Sequence, residues 1–381
     1  MINRNTTIIR AMLAMLGSLL MAWSVSAETV DERLNRIDEE LEEMRESTDA
    51  GRGDETATVS LHGYGELHYN NLDGSGGADS KRELDFHRFV LYVGYDYNER
   101  IRFVSELELE HSLSGEGKSG EVELEQAFID IDLADSATLR AGLFLLPVGL
   151  LNSLHEPPHF NGVERNSVEN NIIPTTWWEG GVGLHGACEG GWNYAAYVHS
   201  GLSTSSNSSY AVRSGRQKVS KANADSVAAT LALGWQGRGV AVGGALQYQD
   251  DLTQGSDASA GQAWMGEVHL DASRGPVQLR VLYAAWQLDG DGPEAMDADR
   301  QAGWYVEPAY QVCDAVTLFA RYSEWDNQAG GSASMSEKAQ WTLGLNWYPH
   351  EQVVFKADAQ WQDHESGKEQ DGFNLGMGYA F

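Results

Sequence analysis

Basic residues are scarce in this chain: 26 Lys and Arg stand against 56 Asp and Glu in 381 residues, a formal net charge of −30. Duplex nucleic acid is excluded as a partner, because phosphate binding needs a basic footprint. Cysteine is nearly absent. Two residues cannot build a disulfide framework, and their spacing fits no zinc knuckle. After the first 27 residues no run approaches 18 consecutive apolar residues, so no later segment is built as a membrane-spanning helix. The mean hydropathy of −0.39 agrees, but it leaves open a transmembrane β-barrel, whose strands are apolar on one face only. Aromatics, by contrast, are plentiful at 10%, with 12 Trp and 15 Tyr, which excludes a disordered chain.

The N-terminus reads as an export signal. Arg4 and Arg10 precede an apolar run from Ala11 to Trp23, and Val25-Ser26-Ala27 offers small residues at a cleavage site. Removing residues 1–27 takes away two arginines and no acids, which moves the net charge from −30 to −32. Val30, Leu34, Ile37, Leu41 and Met44 then recur at spacings of four and three among charged residues. That is the seam of a short coiled-coil helix over 28–47, and two heptads need support from whatever they join. A linker follows over 48–56, with Gly51 and Gly53.

From residue 57 to the end, one pattern repeats. In Ala57–Asn70 the odd positions are apolar or small and the even ones mostly polar, the period of a strand with two unlike faces. The same alternation returns near 86–97, 101–111, 122–133, 137–146, 181–188, 192–200, 226–235, 240–250, 263–271, 277–287, 301–310, 314–325, 338–348, 353–362 and 371–381. Short turns such as Asn98-Glu99 and Ala134-Asp135-Ser136 alternate with long polar loops, among them 71–83, 147–180, 201–225 and 363–370. Such a chain is all-β: a sixteen-stranded antiparallel transmembrane β-barrel over 57–381, preceded by the short N-terminal coiled-coil helix. Trp235, Trp325, Trp341, Trp347 and Tyr348 are expected in the interfacial girdles. The ending, Phe373 to Phe381 with every second residue apolar, matches the signal of barrels inserted into the outer membrane of a Gram-negative bacterium.

Three stretches resemble the phosphate-selective porin O and P family: Gly142-Leu-Phe144-Leu-Leu-Pro147-Val-Gly149, Arg321-Tyr-Ser-Glu-Trp325-Asp326-Asn327, and Asn346-Trp-Tyr348-Pro349 followed by Val353 to Asp358. The resemblance implies a trimeric outer-membrane porin, a water-filled channel for passive diffusion of small hydrophilic solutes or ions. The leading heptads and barrel are also similar to siderophore porins of the legiobactin-uptake type, so uptake of an iron chelate is the alternative. An outer-membrane hydrolase or a structural barrel are weaker readings. The expected surroundings are outer-membrane lipid and two further copies of the chain. No enzymatic activity and no cofactor is expected.

His155-Glu156-Pro157-Pro158-His159 matches a zinc-protease expression, but that mechanism needs both histidines on one helical face. Two prolines between them forbid the helix, so no metal site is read there. The segment belongs instead to a long loop expected to fold inward and narrow the pore. Trp177, Trp178, Pro174 and Phe160 would pack it on the wall, with Glu156, Glu164, Arg165 and Glu169 facing water. Asp73-Gly-Ser-Gly and Leu288-Asp-Gly-Asp-Gly are too incomplete for calcium loops. Cys188 and Cys313 fall six strands apart, too far for a disulfide.

If the apolar face meets lipid, the lumen wall carries Glu66, Arg88, Arg102, Glu106, Glu108, Glu110, Asp130, Asp132 and Arg140, then Glu267, Arg280, Glu307, Arg321, Lys356 and Asp358. Acids outnumber bases there, and no basic ladder of the kind phosphate capture would use is visible on this face. The expectation is weak cation preference or none.

Overall fold

The computed structural model describes residues 58–331 and 335–381. The leader, heptad segment and linker lie outside the described residues. Sixteen strands close into one antiparallel barrel, each paired with its sequence neighbours and the first with the last. In chain order they are β1 (Thr58–Ser75), β2 (Lys81–Asn98), β3 (Ile101–Glu110), β4 (Val122–Ala134), β5 (Ala137–Leu145), β6 (Trp178–Cys188), β7 (Trp192–His199), β8 (Ala228–Gly237), β9 (Val240–Gln249), β10 (Ala263–Arg274), β11 (Val277–Leu288), β12 (Arg300–Cys313), β13 (Val316–Asp326), β14 (Lys338–His350), β15 (Val353–His364) and β16 (Glu369–Ala380).

The two faces sort as the alternation dictates. Val59 and Leu61 on β1 are 65% and 66% exposed, whereas Tyr64, Glu66 and His68 of the opposite parity are buried. Leu231, Leu233, Leu246, Val268, Trp341 and Leu343 continue the outward apolar band. An exposed apolar belt around a charged interior is stable only where the outside is lipid. Closure satisfies every strand edge, which a bilayer requires. The C-terminus completes it, with Phe381 and Gly63 exchanging backbone hydrogen bonds of 2.8 and 2.9 Å.

Seven tight turns, from 99–100 to 351–352, mark one rim, and the long connections mark the other. Two expected long loops are shorter than the sequence suggests. The 71–83 and 363–370 stretches shrink to 76–80 and 365–368, because the ladder continues through Ser75↔Glu369 and Leu72↔Lys81. Above the bilayer both faces of a strand are wet, so the apolar alternation ends before the hydrogen bonding does. Two girdle aromatics are likewise corrected. Trp325 is buried inside the barrel, and the Tyr348 hydroxyl points inward to the Pro158 carbonyl at 3.4 Å. Cys188 and Cys313 are exposed and unbridged, at the ends of β6 and β12.

The barrel has an apolar core on one side of its interior. Connections 146–177 and 200–227 fold inward and bury Leu146, Val148, Ile172, Ile173, Trp177, Leu202 and Val212 against Met265, Leu282, Trp286 and Tyr305 of the wall. Trp177 lies 5.9 Å from Trp286, whose indole nitrogen donates to the Ile172 carbonyl at 2.9 Å. Each such side chain contributes about 1.5–3 kcal/mol by leaving lumen water. One carboxylate organises the loop. Glu169 accepts from the Leu150 and Leu151 amides at 2.7 Å, and from Asn166 and the Tyr305 hydroxyl at 2.9 Å. Glu169 was expected to face water; four donors satisfy its charge instead, so it is buried. Gly149 has φ +75°, and a Cβ there would sit 2.5 Å from this carboxylate, which explains the last glycine of the Gly142–Gly149 motif.

Candidate functional site

Residues 155–164 form a strap that touches both sides of the lumen. At its start the His155 carbonyl accepts from Arg88 of β2 at 3.2 Å. Farther around the wall, Arg280 of β11 donates to the His159 carbonyl at 3.0 Å, Lys356 of β15 to the Phe160 carbonyl at 2.9 Å and Arg321 of β13 to the Asn161 carbonyl at 2.5 Å. Asn161 donates to Glu307 at 2.9 Å, and the Val163 amide donates to Asp358 at 2.7 Å. Glu164 then returns to β1, 3.4 Å from His68 and accepting from Asn70 at 3.0 Å. Burial works against the Glu164 charge, but His68 holds its carboxyl well below the ordinary range. Gly378 lets the strap lie flat, since a Cβ there would meet Pro157 at 2.1 Å.

The inward parity set is therefore largely engaged in structure. Arg88 makes 2.6 and 2.9 Å bonds to Glu66, and Arg321 a 2.6 Å bond to Glu307. Between the strap and the tight-turn rim, Arg102 pairs with Asp132 at 2.5 Å, Arg140 with Asp130 at 2.8 Å and Arg280 with Asp271 at 2.9 Å. Glu267 is buried beside His269 at 3.0 Å. These wall bases do not gather at the neck as free positive charge; they tie down the strap and neighbouring acids.

Beside the strap remains a cavity of about 240 Å³ bordered by six carboxylates, five Arg or Lys and two His. Its acidic side is an arc on β3 and β4: Glu108, Glu110, Glu123 and Glu125. The last two escape the parity reading. Glu106 pairs with Gln126 but Leu107 with Leu124, so Glu125 is an extra residue, and the bulge moves odd positions inward above it. Below the bulge, the even positions Asp130 and Asp132 pair with Arg140 and Arg102.

The basic side comes from loops. Arg165 donates to the Thr176 hydroxyl at 2.6 Å, Arg213 to the Asn170 carbonyl at 3.0 Å, and Arg216 to the Thr175 carbonyl. All three hydrogen-bond to neutral oxygens, so their charges border the cavity without a direct carboxylate partner among the described residues. Burial, then the charges of Arg216 and Arg165, lowers Arg213 to about 10, so it remains cationic at neutral pH. Lys218 reaches across to Glu121 at 2.9 Å and to Glu123. A basic cluster thus exists after all. It lies in Arg213-Ser-Gly-Arg216-Gln-Lys218-Val-Ser-Lys221, four bases in nine residues with no acid among them, outside any strand and so invisible to parity.

The histidines of the protease-like motif do not meet. Pro157–His159 is a single 3₁₀ turn; His155 is buried against β3 and β4, and His159 is exposed. Burial opposes a charge on His155, but the Glu106 and Glu125 carboxylates reverse that and lift its pKa to about 9. Glu156 and Arg165 are half-buried, whereas Trp177 and Trp178 are buried at the junction of the loop and β6.

Comparison with known proteins agrees with this architecture. A family model described as phosphate-selective porin O and P matches residues 61–381. An uncharacterized protein of Aquifex aeolicus is 29% identical over 362 residues, covering 85% of this chain and 80% of its own. Among solved structures, the outer membrane channel DcaP of Acinetobacter baumannii has a TM-score of 0.60 at 13% identity, over 85% of this chain and 97% of that one. OprB of Pseudomonas putida has a TM-score of 0.59 at 12% identity, over 94% and 100%. A trimer form of OmpT from Vibrio cholerae has a TM-score of 0.52 at 12% identity, over 86% and 100%. These identities carry the fold alone; the family match covers nearly the whole barrel. The chain belongs to the phosphate-selective porin O and P family, and is an outer-membrane porin of a Gram-negative bacterium, a channel for passive diffusion of small hydrophilic solutes.

Proposed function

We propose that the strap is the constriction of this channel, and that solutes pass it between walls of opposite sign. The observation that carries this is the placement of Arg165, Arg213 and Arg216 and of Glu108, Glu110 and Glu123 around one cavity. Charges so arranged produce a field across the passage rather than along it. A field of that kind orients dipolar and zwitterionic solutes, while ions of either sign find one favourable wall. Phosphate, which the family description names, has the arginines to follow but must pass the carboxylates opposite. The channel is therefore weakly cation-preferring or non-selective, and conducts rather than catalyses. The iron-chelate alternative has no support in the family match. A reversal potential close to zero across a KCl gradient is the expected result; strong chloride or phosphate selectivity would overturn this reading.

The working unit we infer is a homotrimer, supported by the trimeric Vibrio relative and by the heptad seam over 28–47. Native mass spectrometry of the mature chain with residues 28–56 intact is expected to give trimers; monomers alone would contradict it.

A further inference from the structure

One buried cluster has chemistry that diffusion does not use. His155, 1% exposed, sits between Glu106 and Glu125, which are 0% and 2% exposed. Its Nε2 lies 3.4 Å from an oxygen of each carboxylate, and one ligand atom from each residue falls within 4.8 Å of the others. The other ring nitrogen, Nδ1, is 3.2 Å from the Asn152 carbonyl. A carbonyl only accepts, so Nδ1 carries a proton there, and Nε2 is the ring nitrogen that faces the two carboxylates. Among the described residues neither Nε2 nor Glu125 Oε2 has a hydrogen-bond partner, although both are buried. A proton on Nε2 would relieve the charge but not the distance, for charge-assisted hydrogen bonds close to about 2.7–2.9 Å.

The spacing suits a cation better. In a tetrahedron whose vertices lie about 2.1 Å from the centre, as zinc holds nitrogen and oxygen, the edges are about 3.4 Å. The outer partners are also those of a metal centre. The Asn152 carbonyl fixes the His155 tautomer, and Glu106 accepts from the Tyr92 hydroxyl and from Gln126, each at 2.7 Å. Glu125 borders the lumen cavity, so an ion has a way in.

We propose that Glu106, Glu125 and His155 bind a divalent transition-metal cation of the zinc class, which fastens the start of the strap to β3 and β4. One imidazole with two carboxylates favours zinc over the all-oxygen cages of calcium. Two other clusters are poorer candidates. Asp85 already bonds His111 at 2.8 Å and His87 at 3.2 Å, and Glu110, Glu121 and Glu123 offer no nitrogen and engage Lys218.

The test uses the folded mature protein in detergent, stripped with chelator and titrated with Zn²⁺ alone by calorimetry. Co²⁺ absorption would report tetrahedral geometry. One equivalent per chain and a raised thermal midpoint are expected. Glu125→Gln and His155→Gln should each weaken binding beyond the roughly 10–100-fold typical of losing an outer partner. His87→Ala with His111→Ala should leave it unchanged. Absence of Zn²⁺ uptake by the unaltered protein overturns the proposal, as does uptake undiminished in Glu125→Gln or lost only with His87 and His111. Should His155→Gln fail to fold, Glu125→Gln, which keeps the side chain's size, decides.

Discussion

Replacing Arg165, Arg213 and Arg216 together by glutamine is expected to make the channel strongly cation-selective. The cavity beside the strap has six carboxylates and five Arg or Lys on its border. Removing three bases leaves six carboxylates against two Arg or Lys. The two bases that remain, Arg88 and Lys218, are paired with Glu66 and with Glu121 and Glu123. No Arg or Lys on that border is then left without a carboxylate partner among the described residues, and the carboxylates concentrate cations between low-dielectric walls. The shift should be largest in dilute salt and should fade as the Debye length contracts from about 10 Å at 0.1 M to about 3 Å at 1 M. Neutralising Glu108, Glu110 and Glu123 should move the reversal potential the other way. If the arginine variant keeps the original reversal potential, these residues do not face the conducting path.

The second large effect concerns the strap. Exchanging residues 155–164 for a Gly/Ser segment of equal length should raise single-channel conductance several-fold while the barrel stays folded. The strap is held by side chains on β2, β11, β13 and β15 and by backing against Gly378. A Gly/Ser segment keeps the carbonyls that those bases hold, but it loses Asn161 on Glu307, Glu164 on His68 and Asn70, the Phe160 ring beneath Lys356, and Pro157 against Gly378. With those contacts gone and glycine's backbone freedom added, the segment is no longer held firmly across the lumen. Glu307, His68 and Asn70 would lose strap partners, but water entering the widened lumen would solvate them, so heat-modifiable migration on gels should persist. Gly378→Leu is a gentler version, driving Pro157 off the wall, and should increase both conductance and open-channel noise. Conductance unchanged in both variants would place the constriction elsewhere.

The strands were legible because a lipid-facing side chain and a water-facing one alternate for purely geometric reasons, and neighbouring strands enforce the phase. Thus Val59 and Leu61 point out, and Glu66 and Arg88 point in, as parity requires. The same reasoning fails where the phase slips. The bulge at Glu125 brings Glu123 and Glu125 to the passage, and nothing in the sequence Val122-Glu-Leu-Glu-Gln126 announces the extra residue. Loops carry no period at all, so Arg213, Arg216 and Lys218 could be found only as a run of bases in an acidic chain. Glu169 shows the opposite error. Its charge suggests exposure, and only the folded loop reveals the amides of Leu150 and Leu151 and the Tyr305 hydroxyl that hold it. Trp325 fails for a related reason: an aromatic near a strand end fits a girdle or a core equally well until the inward loop is placed.

Recording of single channels in planar bilayers tests the central claim most directly. With the purified, folded protein the account predicts discrete, long-lived conductance steps, and a reversal potential near zero in a KCl gradient. Bilayers that stay silent with protein shown to be folded and inserted would contradict it.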